Sequence, residues 1–154
     1  MIIEELLGHL SPDRFLPNLA AETKDEVLAQ LTDAVIAGSP IKDRALLLEM
    51  LRNREQLGST ALEKGVAFPH GRSLAVSKLT ILIARSADGV DFDSEDGKST
   101  HLFFLLLAPP QDSGNMYLQS LGKIAELVRK DSTRRALLAA ADFDSFVQVM
   151  RENA

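Results

Sequence analysis

The 154-residue sequence contains no cysteine. That absence removes disulfides, thiolate metal sites and any cysteine nucleophile. Histidine is scarce: His9, His70 and His101 are the only three, and they have no metal-ligand spacing. There is no excess of positive charge either. With 17 Lys and Arg against 22 Asp and Glu, the net charge is −5, which argues against a nucleic-acid binder driven by phosphate contacts. No apolar run is long. The longest, Leu102 to Ala108, falls far short of the ~20 residues of a membrane helix, so no direct membrane insertion is expected. The opening Met1-Ile2-Ile3-Glu4-Glu5 is acidic and lacks the basic region of a secretory signal, so a cytoplasmic protein is expected. Neither G-x-x-x-x-G-K-[ST] nor G-x-G-x-x-G occurs, and nucleotide binding is unsupported. Asp91 to Gly97 resembles a calcium loop only briefly. Its glycine is misplaced and its twelfth position is Leu102 rather than glutamate, so a solvated turn is the expectation. A hydrolase built on Ser59 and His70 would lack a nucleophile elbow.

What the chain does have is ordinary globular composition, 45% hydrophobic and 25% charged, in a length that suits one domain with a real core. Thr23 followed by Glu26 is a capping-box signature, and Val27, Leu28, Leu31, Ala34 and Val35 repeat at helical spacing up to Gly38. Ser39-Pro40 predicts the start of a second helix with Leu47, Leu48 and Leu51 as its buried stripe. Leu79 to Ala84 and His101 to Ala108 read as central strands covered on both faces. Asp88-Gly89 and Asp96-Gly97 predict turns around a short strand at Val90 to Phe92. Pro109-Pro110 ends the second central strand. Three helices follow, marked by Leu121, Ile124, Ala125 and Val128, then by Leu137 and Leu138, then by Phe143, Phe146, Val147 and Met150. The fold class predicted is α/β: a single domain with a mixed parallel and antiparallel sheet flanked by helices on both sides.

The chemistry concentrates in Gly65-Val66-Ala67-Phe68-Pro69-His70-Gly71-Arg72. Pro69 biases Phe68 toward an extended conformation, so Val66 to Phe68 reads as a short strand that stops where His70 begins. Gly71 has no Cβ, which would let a ligand approach the main chain. Arg72 adds a cation. A lone histidine in a turn is commonly just a surface residue, but a second segment lies upstream. Arg54-Glu55-Gln56-Leu57-Gly58-Ser59-Thr60 offers a guanidinium, a glycine turn and two hydroxyls, groups that bind phosphate oxygens. Arg54 is expected at a helix end, facing the turn with Ser59. Elsewhere, His9 is expected to end the first helix and His101 to face solvent at a strand end.

Taken in order, R-E-x-L-G-S-T at 54–60, G-V-A-F-P-H-G-R at 65–72, F-D-S-x-D-G at 92–97 and F-F-L-L-L-A-P-P at 103–110 resemble the type-2 IIA domain of the bacterial phosphotransferase system. This is the fructose and mannitol class, which includes nitrogen-regulatory IIA proteins. The resemblance runs from about Leu10 to Val149. It implies that His70 accepts a phosphoryl group on Nε2 from a small HPr-like carrier. It implies that Arg54 stabilises the transferring group, that Ser59, Thr60 and Gly71 bind phosphate, and that Arg72 and Tyr117 stand just behind. Many relatives carry a second histidine where this chain has Tyr117, at the start of the helix after the P-P segment; a phenol cannot act as a base near neutral pH. No metal or other cofactor is implied. The IIB role is excluded, because IIB domains of this class carry the phosphoryl group on cysteine. The expected partners are the HPr-like donor and, as acceptor, either a regulatory target or a IIB domain in sugar uptake. A homodimer is compatible with the sequence.

Overall fold

A computed structural model describes residues 1–154. In chain order its elements are α1 (Ile3–Leu7), β1 (Phe15–Leu16), α2 (Lys24–Gly38), α3 (Arg44–Gln56), β2 (Val66–Ala67), β3 (His70–Arg72), β4 (Thr80–Val90), β5 (Thr100–Ala108), α4 (Met116–Leu127), α5 (Asp131–Ala139) and α6 (Phe143–Glu152). The antiparallel pair β4–β5 forms the middle of one sheet. β1 lies parallel to β4 on one side, and β2 and β3 both lie parallel to β5 on the other. The α/β class, the mixed sheet and the helices on both sides are as the sequence predicts.

Burial of both faces explains why Ile81 to Ala84 of β4 and Leu102 to Ala108 of β5 are apolar at every position. Leu82, Ala84, Phe103, Leu105 and Leu107 join Val27, Leu31, Leu47 and Leu51 of α2 and α3. Ile81, Ile83, Leu102, Phe104 and Leu106 join Leu6, Ile124, Leu137, Phe146 and Met150 from α1 and α4 to α6. Every side chain from Leu102 to Ala108 is buried, and each large one contributes roughly 1.5–3 kcal/mol. Two buried arginines finish helices on the second face. Arg85 donates to the carbonyls of Leu137, Leu138 and Ala140 at the end of α5, and Arg134 donates to those of Val128 and Arg129 at the end of α4. These carbonyls have no partner within their own helices.

Local details correct the sequence reading in four places. The second helix begins at Arg44, not at Ser39-Pro40. The Ser39 hydroxyl donates to Val35 O at 2.6 Å and so closes α2, while Asp43 caps α3 by accepting from Leu46 N. Val90 to Phe92 is not a separate strand. β4 runs on to Val90 through a bulge that absorbs Asp88-Gly89, and Phe92 leaves the ladder to pack edge-on against Phe103. The strand before His70 stops at Ala67, and His70, expected in a turn, opens a strand of its own, β3. His101 does not face solvent freely. It is half-buried, with Nδ1 2.9 Å from Ser86 O and its ring against Gly89. Elsewhere the expectations hold. Thr23 caps α2 by accepting from Glu26 N, and His9 lies just beyond α1 with its carbonyl accepting from Arg14. In the Asp91–Gly97 turn, Asp96 accepts from the main-chain N–H groups of Lys64 and Lys98.

Candidate functional site

β2 and β3 are two pieces of one edge strand in one register: Val66 pairs with Leu102 and His70 with Leu106. Along a parallel edge, alternate residues turn their main-chain groups toward the sheet or away from it. Gly65 O and Pro69 O point inward and accept from Leu102 N and Leu106 N. Phe68 points outward. Its N–H donates to Thr60 O at 3.0 Å, and its carbonyl accepts from the His70 ring, with Nδ1 2.6 Å away. A carbonyl can only accept, so the Nδ1 atom carries the proton and Nε2 keeps its lone pair. The side chain is half-buried and its main chain is fixed in the sheet.

The cations gather around the aromatic ring next to this imidazole. Tyr117, buried in the first turn of α4, sets its ring 6.0 Å from the His70 ring, centroid to centroid, at 50°. The Arg72 guanidinium lies 4.8 Å over the other ring, that of Tyr117, and donates to Pro109 O. Arg54, in the last turn of α3, donates to Gly58 O at 2.9 Å. Arg54, Arg72 and Gly71 line one shallow cleft with Asn53 and Leu57. Burial pushes the Tyr117 phenol up to about 12, opposed by the positive fields of Arg72 and Arg54. The phenol therefore remains an O–H group near neutral pH and is no base.

Three expected phosphate ligands are placed differently. The Ser59 hydroxyl donates to Phe92 O at 2.6 Å and accepts from Ala61 N. The Thr60 hydroxyl donates to Glu55 Oε2 at 2.5 Å, and Thr60 N donates to Glu55 Oε1. Both hydroxyls thus hold the 58–61 turn in shape. Glu55 is buried and also accepts from Lys24 Nζ at 3.0 Å, which anchors the loop to the start of α2. Gly71 lines the cleft, but the space of its missing Cβ is taken by Met50 of α3, whose Sδ would lie 2.2 Å away. A side chain here must push aside the flexible end of Met50.

Residues 9–153 match the family described as the phosphoenolpyruvate-dependent sugar phosphotransferase system, EIIA 2. The chain belongs to this family. It is 36% identical to the nitrogen regulatory protein of Bradyrhizobium diazoefficiens over 92% of this chain and 91% of that one. It is 29% identical to the fructose-specific EIIABC component of Bacillus subtilis over 88% of this chain, which spans only 21% of that larger protein. Its fold overlays that of the nitrogen regulatory protein IIA-Ntr of Neisseria meningitidis with a TM-score of 0.85 at 29% identity, covering 93% of this chain and 97% of that one. EIIA proteins are phosphocarriers, and no helix of this one is long and apolar enough to cross a membrane.

In this EIIA domain the fold gathers His70 and Arg72 of β3, Tyr117 of α4 and Arg54 from the last turn of α3 into one corner. Sequence reasoning missed three contributors. Phe68 acts through a main-chain oxygen, which leaves no mark in a sequence. Glu55 lies inside the R-E-x-L-G-S-T motif without an assigned role; its position next to Arg54 on a helix end is the signal that could have found it. Asp112 accepts from Tyr117 N at 2.7 Å and starts α4, and the polar loop before that helix hints at such a cap.

Proposed function

We propose that this protein is a histidine phosphocarrier that accepts a phosphoryl group on Nε2 of His70 from an HPr-like protein, as a nitrogen-type regulatory IIA protein of the cytoplasm. The observation that carries this reading is the hydrogen bond from His70 Nδ1 to Phe68 O, which leaves Nε2 as the nucleophilic atom. In the transfer, the Nε2 lone pair forms the new N–P bond while the donor's N–P bond breaks and its imidazole leaves with the electron pair. The His70 ring becomes cationic, and its Nδ1–H bond to the Phe68 carbonyl strengthens as it does. Negative charge spreads over three equatorial oxygens in flight. Arg54 and Arg72 supply preorganised positive charge for that state. Ser59, Thr60 and Glu55 act by fixing the loop that follows Arg54, and Tyr117 orients the imidazole through its ring. No proton has to be removed by another side chain.

The regulatory role is supported by likeness along nearly the full length of two nitrogen regulatory proteins. Its physical basis is the added charge of roughly −1.5 to −2 on phosphorylation, enough to make or break an interface with a target protein. Likeness to a fructose-specific component favours the second reading, in which His70 passes its phosphoryl group to a IIB cysteine for sugar uptake. Incubation with phosphoenolpyruvate, enzyme I and an HPr-like carrier, followed by intact mass, tests the common core: an acid-labile gain of one phosphoryl group is expected. Failure to gain it overturns the phosphocarrier reading. Adding a purified fructose-class IIB domain separates the two roles, since only the transport reading expects rapid loss of that group to IIB.

A further inference from the structure

A second depression lies away from the phosphoryl corner, between the 62–68 hairpin and α4. It encloses about 370 Å³, within the range of small-molecule sites. Its apolar wall is made by Leu62, Val66 and Phe68 on one side and by Ala125 and Val128 on the other. Glu63, Glu95 and Arg129 complete its rim with Lys64 and Arg134, and the last two also border an adjoining depression that no apolar side chain lines, with Lys98, Ser99 and Asp131. Three cations there face one carboxylate. That carboxylate is already ion-paired to Arg134, whereas the Lys64 and Lys98 ammonium groups form no ion pair, with Asp96 nearby held by the main-chain N–H groups of both residues. The combination is an apolar slot that opens onto a positively charged shelf, in a protein whose net charge is −5.

Both walls lead to His70. Phe68 presents its ring to the slot, stacked 5.9 Å from Phe104, and its carbonyl to His70 Nδ1. α4 presents Ala125 to the slot and Tyr117, from its first turn, to the His70 ring. We propose that this slot and shelf bind a small amphipathic anion, an apolar body carrying a phosphate or carboxylate head, and that its occupancy changes how the His70 ring is held. The apolar body fits between Phe68 and Val128, and the head reaches Lys64 and Lys98. A body wedged between the hairpin and α4 moves the two groups that touch the imidazole, because packed walls transmit displacement. Binding and ring response are properties of the isolated chain and do not depend on phosphoryl transfer.

The test is an NMR titration of the full chain with 1-naphthyl phosphate. 1-Naphthoate, inorganic phosphate alone and uncharged 1-naphthylmethanol serve as comparison probes. Saturable shifts at the amides of 62–68, 98–99 and 125–134 are expected, with the phosphate ester or the carboxylate binding more tightly than either inorganic phosphate or the alcohol. The tighter of the two names the head group. The His70 ring ¹⁵N resonances should move with the same midpoint. Lys64→Ala with Lys98→Ala, both exposed changes that leave the melting temperature in place, should weaken binding about tenfold by removing two charged contacts. Shifts that are absent, scattered over the surface or indifferent to the double substitution overturn the site. Saturable binding with unmoved His70 nitrogens overturns the coupling. Either failure leaves the intact-mass result for His70 untouched.

Discussion

His70 and His101 sit toward opposite ends of β5, and each has Nδ1 near a main-chain oxygen: Phe68 O at 2.6 Å and Ser86 O at 2.9 Å. Both rings are half-buried and both are locked in the same tautomer. Cations lie in both neighbourhoods: Arg72 and Arg54 act on Tyr117, the ring beside His70, and Lys64 and Lys98 share a depression with His101. The difference is what covers the remaining nitrogen. At His101 the β4 bulge folds over the ring, and a Cβ on Gly89 would lie 2.9 Å from Nε2. At His70 the neighbours are the flat face of Tyr117 and, across it, a guanidinium fork. On the proposed assignment of His70, a fixed tautomer and nearby charge do not by themselves mark the phosphoryl acceptor; the groups around Nε2 differ between the two rings.

That contrast breaks most sharply at the two histidines themselves. His70→Ala should abolish phosphoryl uptake from an HPr-like donor, and His101→Ala should leave one group still added, both read by intact mass. Label retained in the His70 variant, or lost from the His101 variant alone, would reverse the assignment. Arg54→Lys comes next. It keeps the charge but loses the fork, so the transfer rate should fall by roughly 10²-fold while the melting temperature holds, since the side chain sits at a helix end. Rapid-quench kinetics and thermal melts on the same preparation check both halves.

Gly71→Ala sharpens the comparison on stability. The new methyl would meet Met50 Sδ, the flexible end of a side chain that can swing aside, so the overpacking cost should stay near the low end of its range, about 1 kcal/mol. Denaturant unfolding should recover much of that loss when Met50 is shortened to Ala in the same chain. The smallest effect is expected at Tyr117→Phe, which keeps the ring against His70 and slows transfer only about fivefold, the worth of one neutral hydrogen bond. This substitution also has a pH signature. Tyr117 is the only tyrosine. Its folded-state value of about 12 lies above the ordinary 10, so above pH 10 the unfolded chain sheds a proton that the folded chain keeps. Stability of the parent should then fall between pH 10 and 12 relative to the Phe variant, with no difference below pH 9. A parent and variant whose melts stay parallel to pH 12 would show that the phenol is not held neutral by burial.

The sequence reveals the large elements because β4, β5 and the helices carry long periodic patterns that tertiary contacts reinforce. It misjudges places where a side chain's choice of partner decides. Ser39 had two helices to serve and closes the earlier one; Asp88-Gly89 reads as a turn yet is absorbed as a bulge because β4 and β5 continue to pair beyond it. The same is true of the site. His70, Arg54 and Tyr117 stand out by type and spacing. The inward turn of the Ser59 and Thr60 hydroxyls does not, since it depends on Phe92 and on a buried Glu55 brought in by folding. Gly71 stands out in the sequence, but that its missing Cβ makes room for Met50 does not, because that residue comes from a distant helix.

The oxygen that holds the His70 ring belongs to the peptide backbone, and this places it beyond the reach of ordinary mutagenesis. Any residue at position 68 presents the same carbonyl, so an alanine scan through this segment would pass over the group that decides which nitrogen reacts. Chemical ligation that replaces the Phe68–Pro69 amide by a thioamide, whose sulfur is a weaker acceptor than oxygen and which leaves the proline ring intact, is the kind of change that would expose it.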